Sequence, residues 1–374
     1  MIKIIVNATA PTDGGSLIIL EDFLKSIKFS RQFEYIVFTS ISELSFMVAD
    51  NIKIINPNAK SWLRRICWDF YGLNKWLKMH EVTPVLIVSL QSNGVKVDKS
   101  IQQVVYYHQP VPINEYKWSL FDRRQRILWI KKHLLGFIIA FYNNKNFEFI
   151  VQLQSVAKQL SRRFLIEENK IHLFYPSIPF DIINNKASYN YANNSNQFII
   201  FYPASSMIYK NHMEIVNALF YIKQYNPALL DTIKVVFSSV TANDLPEVFF
   251  KIRELGLENN FEFLGYVSRQ RVLQYYAESN LMLFPSYIET FGLPLVEAAA
   301  FGLPIGVADV EYSHEVLQHY SGVTYLNIGN IKEWAEFILL NYNNRVKHKA
   351  LNYKIFQPSW GELIEFLELK AAND

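Results

Sequence analysis

Along the 374 residues, short apolar runs rich in β-branched and aromatic side chains alternate with stretches of helical periodicity. This alternation constrains the fold more than any other feature. Strands covered on both faces read as continuous apolar runs, so the pattern predicts α/β architecture with parallel sheets between helical layers. In the first half the expected strands are Ile2–Asn7, Tyr35–Thr39, Ile52–Ile55, Val85–Ser89, Val104–Tyr107 and Phe147–Val151. In the second half they are Phe198–Tyr202, Ile233–Ser238, Phe261–Leu264, Leu281–Phe284, Pro304–Val307 and Gly322–Leu326. A polar, Asn-rich run from Ile183 to Asn196 reads as an interdomain linker. The chain therefore divides into two doubly wound domains, 1–183 and 184–357, followed by a helix over Trp360–Lys370. In such units ligands bind outside the carboxyl ends of the strands.

The stretch from Pro285 to Pro304 places Glu289 and Glu297 eight positions apart, with Gly292 and Pro294 between them. The apolar run Leu281–Phe284 before it and Ala298-Ala299-Ala300 after Glu297 predict strand, loop and a helix starting near Leu293 to Leu295. Pro294 suits a first helical turn, where its missing N–H costs nothing. One carboxylate then sits on the loop and the other on the helix. The amides of Phe291, Gly292 and Leu293 lie between them, at the positive end of the helix dipole. Carboxylates accept from hydroxyls and amides donate to anionic oxygens, so the arrangement suits a polyhydroxylated anion. An ordinary helix start offers the same spacing.

The neighbouring residues go further. Pro285-Ser286 before Glu289, Phe291-Gly292-Leu293-Pro294 after it, Glu297-Ala298, and Ala300-Phe301-Gly302-Leu303-Pro304 together resemble the E-x7-E signature of retaining glycosyltransferases of family 4. That resemblance implies the GT-B fold, two Rossmann-like domains facing across a cleft. It also implies a C-terminal helix, 358–374, that crosses back onto the first, acceptor-binding domain, while the second domain holds a nucleotide-sugar donor. Within the motif it implies that Glu297 accepts from the ribose hydroxyls. Glu289, with Thr290 and the amides of Phe291, Gly292 and Leu293, would hold the transferred sugar and stabilise oxocarbenium-like charge.

Two further stretches fit the donor side. Lys210, after the run Phe201–Ser206, stands where a lysine can reach ligand phosphates, and it resembles the family's phosphate-binding lysine. The family's usual arginine is replaced by Ser205, so another group must help neutralise the diphosphate. Gly265-Tyr266-Val267-Ser268 resembles the turn whose backbone lies against the nucleobase, although an ordinary turn would read alike.

In the first half, Asp13-Gly14-Gly15-Ser16 is expected to form a glycine-rich loop ahead of a helix over Leu17–Ile27. Gly14 and Gly15 would let backbone approach an oxyanion, which the resemblance implies to be the donor diphosphate. His108 follows the strand ending at Tyr107, and the resemblance places it against the transferred sugar as a catalytic-site residue. No covalent nucleophile is implied, because in these enzymes the leaving phosphate is thought to take the acceptor's proton on the same face.

Residues 1–190 hold 24 Lys and Arg against 15 Asp and Glu, a net +9; the remainder holds 13 against 19, a net −6, giving the overall +3. Basic and aromatic residues are interleaved at Lys60–Lys78 and Lys117–His133, which suits an anionic membrane surface or, equally, exposed helices with core contacts. No nucleic-acid motif accompanies the charge. The single Cys67 excludes an internal disulfide and suits a reducing compartment. The start of the chain reads as a strand rather than a secretory signal, so the expected location is cytoplasmic, with peripheral contact at the inner membrane face. No Asp-x-Asp or zinc spacing is present, so neither a metal nor another cofactor is expected.

The reading is a retaining, metal-independent transferase. It moves a hexose or N-acetylhexosamine from a UDP- or GDP-linked donor to a saccharide acceptor, lipid-linked, in bacterial O-antigen or capsule synthesis. Its alternatives are a nucleotide-sugar epimerase, a phosphorylase, or a non-catalytic nucleotide-sugar-binding protein.

Overall fold

The computed structural model describes residues 2–10, 14–41, 44, 47–142, 146–176, 197–352 and 355–372. It comprises two compact units: Met1–Ser177 with Phe356–Asp374, and Ile178–Ile355. The Asn-rich run 183–196, with the boundary expected at its start, lies outside the described residues.

Unit 1 is built on seven parallel strands: β1 (Ile2–Ala8), β2 (Phe33–Thr39), β3 (Ile52–Ile55), β4 (Leu86–Ser89), β5 (Gln102–Tyr106), β6 (Phe147–Val151) and β7 (Ile171–Leu173). Their spatial order is β3-β2-β1-β4-β5-β6-β7. Val6 of β1 stands opposite Val37 on one side and Val88 on the other, so β1 is central and buried on both faces. Its side chains alternate accordingly. Ile4, Val6 and Ala8 join Leu20, Phe23 and Leu24 of the helix Gly14–Ile27. Ile5 instead packs with Ile36, Phe38, Ile87, Leu73 and Leu77 on the opposite face. Strand β7 escaped the sequence reading because it is three residues long and only half-buried, too short to leave an apolar run.

The helix Trp360–Ala372 belongs to unit 1 and buries Trp360, Leu363, Ile364, Leu367 and Ala371, a stripe at helical spacing. Trp360 stacks on Tyr106 at 5.5 Å and meets Phe23 edge-on at 6.1 Å. Polar ties reinforce the contact: Tyr35 donates to Glu368 at 2.8 Å, and Lys370 pairs with Glu148 at 2.6 Å.

One local expectation is corrected. Gly14 and Gly15 are not in a loop but already in the first turn of the helix Gly14–Ile27, while Asp13 lies outside the described residues. The apolar face at Leu20, Phe23, Leu24 and Ile27 anchors that helix. A glycine costs least in a first turn, where few intrahelical bonds depend on it.

Unit 2 carries six parallel strands: β8 (Phe198–Pro203), β9 (Ile233–Ser238), β10 (Phe261–Phe263), β11 (Leu281–Phe284), β12 (Ile305–Ala308) and β13 (Val323–Leu326), in the order β10-β9-β8-β11-β12-β13. In both sheets the strand order reverses beside the first strand, between β1 and β4 and between β8 and β11. Gly302 (φ +71°) closes the helix Leu293–Ala300 where a Cβ would lie 2.4 Å from the His348 carbonyl oxygen, so the segment after Arg345 can run close against it.

Leu367 has no exposed surface and joins the C-terminal helix to the core around β1. Leu367→Ala should cost about 2–5 kcal/mol of unit 1 stability. Urea unfolding measures this; an unchanged midpoint would mean that the helix is not part of that core.

Candidate active site

In unit 2 the loops that leave β8 and β11 meet at the reversal of strand order. After β8 the chain makes a single 3-10 turn, Ile208–Lys210, then passes through Asn211 in the left-handed region into the helix His212–Tyr225. Tyr202 at the end of β8 donates to the Lys210 carbonyl at 2.6 Å, fixing the turn. The Tyr287 amide donates to the Tyr209 carbonyl at 3.0 Å and ties the second loop to the first. Tyr312 donates to the carbonyl of buried Ser286 at 2.6 Å, holding that loop from the other side.

These constraints bring Lys210 and Glu289 together. The Lys210 ammonium forms an ion pair with Glu289 Oε1, the two side chains being 14% and 13% exposed. Lys210 Nζ also lies 5.5 Å from the Tyr209 ring centre and 5.9 Å from that of Phe284. A lysine between aromatic faces with one carboxylate partner has lost most of its water, so an incoming anion competes with Glu289 alone. Burial, followed by the Glu289 charge, raises the Tyr209 hydroxyl well above its ordinary range and keeps it a neutral donor.

His212, two residues beyond Lys210, was missed by the sequence reading because a lone histidine at a helix start carries no motif. It is buried against the rings of Tyr202 (4.9 Å) and Phe237 (5.0 Å). Burial, then the Lys210 charge, lowers its pKa to about 3 against the hydrogen bond at Ala204. The ring is therefore neutral at physiological pH, leaving Lys210 as the cation at this corner.

Phe291 is buried, and Thr290 and Leu293 are half-buried. Gly292 precedes the helix Leu293–Ala300 at φ +86°, where an L side chain would cost about 1–2 kcal/mol. In that first turn Pro294 has no N–H and the Leu295 amide donates to the Gly292 carbonyl at 2.9 Å, so the Leu293 amide is the one left without an intrahelical acceptor. Glu297 lies within the helix, buried, and its Oε1 accepts from Arg269 at 2.7 Å. Arg269 opens the helix Arg269–Glu278, capped by Ser268, which accepts from the Arg271 amide at 3.3 Å. The arginine was also missed, because its link to Glu297 exists only through the packing of two helices.

The turn before it is built on Gly265 (φ +65°), whose N–H donates to the Val240 carbonyl and whose carbonyl accepts from Ser239. This leaves Tyr266 82% exposed and Val267 half-buried, a backbone edge open to a ligand. Ser205 is half-buried on the loop after β8 and contributes no charge.

The remaining predicted residues belong to unit 1. Gly15 begins the helix after β1 with no protein atom within 4 Å of a built Cβ, so packing does not demand a glycine there. Gly14 precedes it in the same turn. His108 follows β5, its amide donating to Ser92 Oγ at 2.9 Å, and burial lowers the ring pKa to about 4 despite a hydrogen bond at Tyr106. It is a neutral donor or acceptor rather than a cation. Among the described residues no group of three or more His, Cys, Asp or Glu side chains is placed to hold a metal.

Comparison with known proteins bears on the same region. Residues 185–356 match the family model Glycosyl transferases group 1. The chain is 28% identical over 186 residues to the O-antigen chain mannosyltransferase RfbU of Salmonella typhimurium, a match spanning 49% of this chain and 48% of that protein. The chain thus spans about half the length of that relative. Among solved structures, WaaG, a glycosyltransferase involved in lipopolysaccharide biosynthesis, superposes with a TM-score of 0.68 at 15% identity, covering 92% of this chain and 94% of that one. Anabaena Alr3699/HepE in complex with UDP-glucose gives 0.62 at 16% identity, covering 92% and 90%. At these identities the structures share the fold, which is GT-B.

His212 provides a pH test of the corner. Its pKa is about 3 when folded and 6.5 when exposed, so between those values the unfolded chain binds more protons and stability rises with pH. Replacing it by Leu should flatten the rise in unfolding free energy between about pH 4 and 6.5. Equal slopes for the two proteins would show that the ring is not held neutral.

Proposed function

Because residues 185–356 match the Glycosyl transferases group 1 model, we propose that the chain is a retaining, metal-independent glycosyltransferase. Its donor is a UDP- or GDP-linked hexose or N-acetylhexosamine, and its acceptor is a lipid-linked saccharide of a bacterial surface polysaccharide such as O-antigen or capsule. The observation that carries this reading is the Lys210–Glu289 pair at the strand-order reversal of unit 2. The names of RfbU and WaaG support the class of product, and the UDP-glucose held by HepE supports the class of donor.

The roles follow from the geometry. A diphosphate competes with Glu289 for the Lys210 ammonium and draws it away. Glu289 then accepts from hydroxyls of the transferred sugar, while the amides from Phe291 to Leu293 meet its oxygens. Glu297, steadied by Arg269, takes the ribose hydroxyls, and the open backbone at Tyr266 and Val267 takes the base. Lys210 and the helix-start amides balance the diphosphate charge despite Ser205. As the bond from the anomeric carbon to phosphate oxygen breaks, positive charge grows at the ring and the Glu289 carboxylate stabilises it. The acceptor oxygen bonds to the same carbon on the same face, and its proton passes to the departing phosphate. His108, neutral, offers one hydrogen bond to the acceptor saccharide.

The chain works at a membrane face in this reading. Trp62, Leu63, Phe121 and Phe137 are exposed, and Arg64, Arg123 and Arg124 are exposed in the same basic stretches. Among the described residues no helix is long and apolar enough to cross a membrane. The protein should float with anionic liposomes at low salt and be released by high salt; failure to float at low salt removes the membrane contact from the proposal.

Calorimetric titration with UDP and with GDP, without metal, tests the donor site. Lys210→Ala should weaken nucleotide binding about tenfold or more. Glu289→Ala should keep most of that affinity yet lower transfer by about 100-fold or more. Equal loss of nucleotide binding in both would overturn the roles. Nucleotide binding without turnover in the unmodified protein would favour the non-catalytic alternative.

A further inference from the structure

The two reversals of strand order hold their carboxylates in different ways. In unit 1 Asp69 accepts from the side-chain amides of Asn7 (2.9 Å), Gln91 (2.8 and 2.9 Å) and Asn93 (3.1 Å), with the Arg65 charge adding to them. Neutral donors thus do most of the work there. In unit 2 each carboxylate of the motif is held by a cation instead, Glu289 by Lys210 and Glu297 by Arg269, the latter at 2.7 Å. The Glu297 side chain is 7% exposed and that of Arg269 is 35% exposed, so the arginine extends from a buried carboxylate to solvent.

Packing sets where that arginine stands. The helix Arg269–Glu278 lies against β8 through Phe201, whose ring stacks on Tyr275 at 5.3 Å and meets Tyr276 edge-on at 5.2 Å. Tyr276 also stacks at 5.8 Å on Phe301, which ends the helix Leu293–Ala300. The two helices are thereby aligned side by side. A helical side chain leans over the turn before its own, so the Glu297 carboxylate lies toward Leu293 and brings Arg269 with it. Arg271, in the same first turn as Arg269, is drawn aside along its own helix. It donates to Gln274 and to the Tyr275 hydroxyl, each at 3.1 Å, and lies over the Tyr275 ring.

Charge makes Arg269 more than a support. Without it two carboxylates face one ammonium, and the site would repel the diphosphate that it admits. With it, carboxylates and cations balance. The order of the two pairs also matches the order of groups in a nucleotide sugar, where ribose, first phosphate, second phosphate and sugar are joined in line. With ribose on Glu297, the first phosphate, carried by that ribose, comes beside Arg269. With the sugar on Glu289, the second phosphate comes beside Lys210. A guanidinium spreads its N–H donors over a planar fork, so it can hold a carboxylate on one edge and a phosphate on another.

We propose that Arg269 binds the phosphate next to the ribose while Lys210 binds the phosphate next to the sugar, so that Arg269 supplies the positive charge that Ser205 does not. The inference rests on the donor-site reading and deepens it by dividing the diphosphate between two cations. Arg269 keeps its bond to Glu297 when nucleotide is bound, whereas Lys210 leaves Glu289.

Displacement calorimetry with a nucleoside, its monophosphate and its diphosphate assigns each phosphate, in the uridine or guanosine series according to the base that the protein takes. Arg269→Gln keeps an amide for Glu297 and removes the charge. It should reduce the gain in affinity from nucleoside to monophosphate about tenfold, and leave the gain from monophosphate to diphosphate within about twofold. Lys210→Ala should do the reverse. Arg269→Lys, which keeps the charge, should retain most of the first gain; a loss as large as that of Arg269→Gln would overturn the charge role. Equal weakening of all three ligands by Arg269→Gln would show that the residue only steadies the ribose site, overturning the proposal while the donor site stands. Failure of the unmodified protein to bind any nucleotide would remove the donor site and this division of the diphosphate with it.

Discussion

Each parallel sheet reverses its strand order beside its first strand, and the chemistry of each unit gathers at that reversal. Two adjacent parallel strands whose connections leave in opposite directions cannot have their following loops packed against each other, so a crevice opens at their carboxyl ends. In unit 2 the crevice holds Lys210 and Glu289; in unit 1 it holds Asp69 with its ring of amides.

The two sites solve the problem of buried charge differently. Glu289 is balanced by a cation whose own position is set by Tyr202, Tyr209 and a neutral histidine. Removing one partner would strand the other in partly desolvated surroundings, which costs more than the pair contributes. Asp69 is balanced chiefly by hydrogen bonds from three amides, with the Arg65 charge adding to them, so its charge orients its neighbours. The first arrangement suits exchange with a diphosphate, and the second holds its amides in fixed orientations.

The fold was legible because burial on both faces writes itself into composition. β1 packs Ile4 and Val6 into one core and Ile5 into another, so the run Ile4–Val6 is continuously apolar between Lys3 and Asn7. The motif around Glu289 was legible for a related reason: Gly292 at φ +86° and Pro294 in the first helical turn are backbone requirements that few other residues meet. Where burial is partial the signal fades, as at β7, and where a glycine lies in a first turn rather than a loop, as at Gly15, sequence cannot separate the two. Arg269 and His212 carried no local signal, because their partners are remote in the chain or lack any pattern.

What the sequence by itself determined is the alternation of strands and helices, the second-unit motif and the residue types it brings, because these depend on periodicity and backbone preference within a few positions. Only the tertiary structure decided which side chains share a crevice. Lys210 meets Glu289 across 79 positions, and Asn7 meets Asp69 across 62. Such pairings depend on the order of strands in the sheet, and that order is set by packing summed over each unit rather than by any local run of residues.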